Sequence, residues 1–205
     1  MNAGRIVLWD VMDTLVRDPF TEVMPAFFGM NFKDLLRSKS PTAWLEFERG
    51  ETDEATYFAR AFSDGRDFDG PAFREAMIAG YAWLPGMQAL LARLAEDRQT
   101  PRVEMHALSN YPVWYERLEA RLGLSRYLSW QFVSCRTGVR KPSPAAYLGA
   151  AAACGVPPEA CLFIDDRAEN VEAARAVGMD AFRFVDAAHT AAALTERGLL
   201  HRAGP

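Results

Sequence analysis

Hydrophobic residues gather in five short blocks, at 5–10, 103–108, 131–134, 161–164 and 181–184, most of them ending at polar or turn-forming positions. Apolar runs of this length predict strands covered on both faces, the arrangement of a parallel sheet. From residue 85 onward single stretches of helical character separate the runs, which is βαβ order. Helix punctuation agrees. Ser143 followed by Pro144 predicts an N-cap and first helical position, and Gly155 closes an Ala-rich helix over 145–154. Gly178 stops a helix over 168–177 in the same way. Between Asp18 and Trp83 the pattern changes: strand-like runs are absent, and apolar positions recur at helical spacing over 32–38, 42–48, 54–62 and 72–82. The expected architecture is α/β, a doubly wound parallel sheet of Rossmann-like type built from 1–17 and 84–205, with a small helical module at 18–83 inserted after the first strand.

Composition narrows the partners. A chain of 205 residues, half of them hydrophobic, can bury one substantial core plus a small second module. The net charge of -4 provides no basic field for nucleic acid, and the apolar runs are far shorter than a bilayer requires. A small-molecule partner is expected, with neither nucleic acid nor membrane. The first strand begins within a few residues of Met1, which predicts no leader and a cytoplasmic location, or the plastid stroma for a plant or algal chain whose transit peptide has been removed. Cys135, Cys154 and Cys161 are odd in number and lack metal-type spacing, so they read as reduced thiols, mostly buried.

The candidate chemistry sits at the strand ends. Asp10 follows the first apolar run, Ser109 and Asn110 follow the second, and Asp165 and Asp166 follow the fourth. In an open parallel sheet ligands bind at this edge. With Lys141, which precedes Pro142, the set comprises a carboxylate, a hydroxyl, an ammonium and a carboxylate pair. Such a set suits a magnesium-assisted attack on a phosphate ester. Taken singly, each residue has an ordinary role as a turn, cap or solvated charge. His106 lies inside an apolar strand and reads as a packed strand residue. Trp44, Phe47, Phe58 and Phe62, like Leu118 and Leu122, fall at helical spacing and read as packing residues.

Four segments in order resemble the motifs of the haloacid dehalogenase-like hydrolase superfamily: Trp9-Asp10-Val11-Met12-Asp13-Thr14-Leu15-Val16, then Leu108-Ser109-Asn110, then Arg140-Lys141-Pro142-Ser143-Pro144, and finally the stretch from Phe163 through Asp165-Asp166 to Asn170 and Val171. The resemblance spans the chain and implies a doubly wound core with a mobile helical cap. It implies Asp10 as the nucleophile that forms an aspartyl-phosphate, and Ser109, Asn110 and Lys141 as holders of the phosphate. Magnesium would be bound by Asp10, Asp166 and the carbonyl oxygen of Met12, with Asp165 acting through water and Asn170 orienting the acidic pair.

Position 12 departs from the family pattern. Most phosphatases of the superfamily carry an acid-base Asp there, and methionine moves no proton. Asp13 is the neighbouring carboxyl, placed for a turn or for a supporting role. Within the superfamily the chain is similar to the plant and algal flavin mononucleotide (FMN) phosphatases, through the first motif with Asp18-Pro19-Phe20, Pro41-Thr42-Ala43-Trp44, the stretch from Asp64 to Asp69, and Ser109-Asn110 followed by Tyr111, Pro112, Val113, Trp114 and Tyr115. That likeness implies conversion of FMN to riboflavin and phosphate, with Tyr111, Trp114 and Tyr115 as candidate faces for a flat ring. Two other classes use part of the same set: a metal-independent, dehalogenase-type hydrolase with an Asp nucleophile, and a binding protein that retains the pocket without turnover.

Overall fold

The structure, a computed structural model, describes residues 5–97 and 103–201. Five strands form one fully parallel sheet in the order β3-β2-β1-β4-β5: β1 Ile6–Trp9, β2 Glu104–Ser109, β3 Ser129–Val133, β4 Cys161–Asp165 and β5 Asp180–Arg183. All five predicted strands are present, with ends shifted by one or two residues. The chain runs from β1 outward to β2 and β3, then returns to the other side of β1 to lay down β4 and β5. The reversal puts a crevice beyond the ends of β1 and β4. Asp10 and Asp165 sit beside it, and the Asp10 amide donates to the Ile164 carbonyl at 2.9 Å.

The helices are α1 Val23–Phe28, α2 Phe32–Ser38, α3 Ala43–Glu48, α4 Glu54–Arg60, α5 Gly70–Gly80, α6 Met87–Glu96, α7 Tyr115–Leu122, α8 Ser134–Thr137, α9 Pro144–Ala153, α10 Ala168–Ala176 and α11 Ala187–Glu196. Alternation along β1 explains the layers. Ile6 and Leu8 pack with Tyr147, Ala150 and Ala151 of α9 and Val171 and Ala174 of α10. Val7 and Trp9 join the larger cluster that contains Leu90, Leu91 and Leu94 of α6, Leu118 of α7 and Leu194 of α11. Among the described residues no helix is long and apolar enough to cross a membrane.

Four details differ from the sequence reading. Two helices, α8 and α9, stand between β3 and β4 in place of one, because α8 is too short to leave a periodic signal. The helix α1 and the 3-10 turn Pro19–Thr21 were likewise not anticipated; the prolines at 19 and 25 occupy first-turn positions that proline tolerates. Ser143 takes the N-cap position without a side-chain bond. Of the cysteines, only Cys161 is buried, while Cys135 and Cys154 are half-buried; all three are free thiols.

The helices of 19–80 lie over the sheet edge, and their buried residues Met24, Phe47, Tyr57, Phe73 and Met77 belong to the same apolar cluster as Trp9 and Ile164. Antiparallel pairing of Val16 with Trp83 brings together the two segments that lead into and out of this unit. Gly50 sets the approach of α3 to α8: its φ is +70°, and a Cβ there would collide with the Cys135 carbonyl oxygen.

Candidate active site

Four chain segments meet at the crevice. Lys141 is 2% exposed and donates from Nζ to Asp10 Oδ1 at 2.6 Å and to Asp165 Oδ2 at 2.7 Å. The Thr14 hydroxyl donates to the other Asp10 oxygen at 2.8 Å. Each Asp10 oxygen keeps a further lone pair. Asp165 is fully buried, and its oxygens also accept from Asn170 Nδ2 at 3.1 and 2.9 Å and from the Arg167 amide at 2.8 Å. Asp166 is half-buried, faces the cavity, and takes the Thr14 hydroxyl as acceptor for its amide at 3.2 Å. Ligand oxygens of Asp10, Asp165 and Asp166 lie within 4.8 Å of one another.

Electrostatics follow from this crowding. Burial pushes Asp10 up to about 7 against the pull of Lys141, with Asp165 and Asp166 adding to the rise. Burial and the neighbouring Asp165 and Asp13 carboxylates raise Asp166 to about 6. Burial opposes the charge on Lys141, yet Asp10 and Asp165 outweigh it and hold its pKa above the usual lysine value. Three carboxylates face one ammonium, leaving an excess of negative charge and a set of hard oxygen donors, some fixed and one open. A small divalent cation that retains part of its water shell suits such a site. The buried Ser109 Oγ, at the end of β2 and outside the residues that line the cavity, has no hydrogen-bond partner among the described residues.

Asn110 behaves differently from a simple phosphate holder. Its amide accepts from the Lys141 backbone N–H at 2.8 Å and donates to the Lys141 carbonyl at 2.9 Å. The residue thus clamps the backbone that carries the ammonium. Asp13 has φ +55°, its amide donates to Val16 O at 2.7 Å and its Oδ1 accepts the Asp18 amide at 3.0 Å. It closes the turn after the nucleophile while still lining the cavity with Met12.

The cavity, about 310 Å³, runs from Asp10, Met12 and Lys141 up into the helical unit, where Phe20, Met24, Trp44, Tyr57, Phe73 and Met77 form its walls. Of the three expected ring faces, Tyr111 lines it; Trp114 and Tyr115 do not. Trp114 is packed among Phe47, Tyr57, Phe58 and Phe73, with its indole N–H on Glu54 at 2.6 Å. Tyr115 lies against Trp130. The start of α7 turns both away from the crevice. His106 is buried against Ser129 Oγ at 2.5 Å, Glu104 and Phe132.

Sequence reasoning missed five charged groups that line the cavity: Asp18, Lys39, Glu48, Arg140 and Arg167. Glu48 of α3 accepts from Arg140 Nε at 2.7 Å and from the Trp44 indole at 2.5 Å, tying the helical unit to the residue before Lys141. The only available signal was a Glu inside an apolar helical pattern.

A family model described as haloacid dehalogenase-like hydrolase matches residues 5–178. The chain is 49% identical over 194 residues, 95% of its own length and 78% of the relative's, to an Arabidopsis thaliana protein named flavin mononucleotide hydrolase 1, chloroplastic. Among solved structures it resembles a haloacid dehalogenase family enzyme from Bacteroides thetaiotaomicron, solved with magnesium and inorganic phosphate, at a TM-score of 0.70 and 16% identity over 88% of this chain and 94% of that one. It also resembles the L-2-haloacid dehalogenase of Xanthobacter autotrophicus at a TM-score of 0.64 and 19% identity, over 88% and 77% of the two chains. At such identities these structures establish a shared fold.

Proposed function

This chain belongs to the haloacid dehalogenase-like hydrolases, and we propose that it is a magnesium-dependent phosphomonoester hydrolase that converts FMN to riboflavin and phosphate. The observation that carries the reading is the meeting of Asp10, Lys141, Asp165 and Asp166 at one sheet edge under a cap-covered cavity. The name of the Arabidopsis relative supports the flavin substrate, and a cavity with ring-bearing walls beside charged groups accommodates a flat ring on a phosphate-bearing chain. The same name supports a plastid location if the source is a plant or alga, and the cytoplasm is the proposal otherwise.

In this reading a carboxylate oxygen of Asp10 attacks phosphorus. The new P–O bond to Asp10 forms as the bond to the riboflavin oxygen breaks, and the departing oxygen takes up a proton. Water then attacks the aspartyl-phosphate, releasing phosphate and restoring the Asp10 carboxylate. Lys141 and the idle Ser109 hydroxyl hold non-bridging oxygens. Asn110 and Asn170 act one step back, the first on the Lys141 backbone and the second on Asp165. Asp10, Asp166 and the Met12 carbonyl would bind the cation, with Asp165 beside them; once bound, it supplies the positive charge that lets a dianionic ester approach three carboxylates. Met12 transfers no proton and Asp13 is committed to its turn, so the leaving oxygen draws its proton from water in the cavity.

The test is phosphate release from FMN, sugar phosphates and nucleotides, with and without magnesium. Preferential, magnesium-dependent hydrolysis of FMN is the expected result. Activity that survives a chelator overturns the metal-assisted mechanism, and ligand affinity without turnover of any ester overturns the enzyme.

A further inference from the structure

Four cationic side chains line the cavity, and three have carboxylate partners. Lys141 pairs with Asp10 and Asp165, Arg140 with Glu48 at 2.7 Å, and Arg167 with Glu169 at 2.5 Å. Lys39 is different. Among the described residues no carboxylate lies within ion-pair distance of its Nζ, which sits over the Phe20 ring at 4.1 Å and 5.8 Å from the Trp44 centroid. The nearby carboxylates are already engaged: the two Glu48 oxygens accept from Arg140 and Trp44, and Asp18 Oδ1 accepts the Phe20 amide at 2.9 Å.

The backbone around Lys39 is fixed. Its N–H donates to Leu35 O at 3.1 Å, its carbonyl accepts the Ser63 hydroxyl at 3.0 Å, and it pairs with Phe62 across an antiparallel bridge. The side chain leaves this fixed backbone to line the cavity with three N–H donors and, among the described residues, no hydrogen-bond acceptor. Burial lowers its pKa to about 8 although Glu48 and Asp18 favour the charge, as expected for an ammonium that has lost water and gained no direct partner. A bound molecule with an acceptor at this point would restore what desolvation removes.

We propose that Lys39 determines substrate specificity on the wall that the helical unit gives to the cavity, donating to a ring carbonyl oxygen of the substrate, which for a flavin is the dione edge of the isoalloxazine. The proposal rests on the flavin reading above. A site built to donate to a substrate group discriminates far more strongly than an apolar wall. Lys39 belongs to the cap and makes no contact with Asp10, so its effect falls on binding of the ring and leaves the chemical step alone.

The experiment compares Lys39→Met, which retains stem length without the charge, and Lys39→Arg with the wild type. Substrates are FMN and p-nitrophenyl phosphate, and riboflavin binding is followed by fluorescence. The expected result for Lys39→Met is a KM for FMN raised at least ~10-fold with kcat within about twofold, a parallel loss of riboflavin affinity, and unchanged p-nitrophenyl phosphate turnover, with Lys39→Arg in between. An unchanged KM for FMN in Lys39→Met overturns the role of Lys39 while leaving an FMN-selective wild type intact. Equal loss on both substrates also overturns it, since that marks a structural effect. A wild type with no preference for FMN overturns the flavin reading and this proposal together.

Discussion

The two ends of the cavity are built on different principles. At the sheet edge three charged side chains are each held by several bonds: Lys141 by two carboxylates, with its backbone clamped by Asn110, Asp165 by Lys141, Asn170 and an amide, Asp10 by Lys141 and Thr14. At the cap end rings and thioethers form much of the wall beside Asp18 and Glu48, and the charge on Lys39, over the Phe20 ring, has no ion-pair partner among the described residues. A reaction that develops charge needs donors already in position, because reorganising them during the reaction costs free energy. Recognition of a flat ring needs area and a few placed polar groups. Chemistry and selectivity are thus separable here, and substitutions at one end should leave the other nearly untouched.

The sharpest way to break that division is at the nucleophile. Asp10→Asn is nearly isosteric and retains the contact geometry while removing the attacking carboxylate; phosphate release from every ester should fall by at least ~10³-fold with the fold retained by circular dichroism. Near wild-type turnover in the pure, folded variant would refute the mechanism.

Next in size is the metal side of the sheet edge. Asp166→Ala should abolish magnesium binding by calorimetry and reduce turnover of FMN and p-nitrophenyl phosphate alike, since one ligand of a sparse set is lost. Because burial and its acidic neighbours raise Asp166 to about 6, acidification below that value neutralises a ligand. With Asp10 raised to about 7 as a second ligand, magnesium affinity of the wild type should fall as pH drops through about 7 and more steeply below about 6, and recover above 7. Affinity that is flat between pH 5 and 7 would exclude Asp166 as a ligand.

The smallest effect tests the cap. Trp44 lines the cavity and meets Tyr57, Tyr111 and Trp114 edge-on. Trp44→Leu removes a flat face, so KM for FMN should rise about two- to tenfold, matching ~0.5 to 1.5 kcal/mol of aromatic contact, with p-nitrophenyl phosphate unaffected. Equal KM changes for both substrates would dissolve the distinction between the two ends.

Legibility followed the same division. Asp10, Ser109 and Asp165 were readable because each terminates an apolar run, and strand ends in a parallel sheet share one edge whatever the intervening chain does. Glu48, Lys39 and Asp18 carried no such mark. A charged residue on a short helix looks solvent-facing until the packing of that helix is known. Trp114 failed in the opposite sense: its position just after the Ser109 turn suggested a ligand face, and the orientation of α7 buried it among other rings.

By itself, the sequence determined the five strands, their parallel sheet with helical crossovers, and the strand-end places of Asp10 and the Asp165-Asp166 pair. These depend on local periodicity and on termini, which neighbouring residues encode. Tertiary structure decided which ring faces line the cavity, that Asn110 serves the Lys141 backbone, that Glu48 ties the helical unit to Arg140, and that Lys39 has no ion-pair partner among the described residues. Each of those depends on atoms distant in the chain being brought together, and no local pattern records how one packed surface meets another.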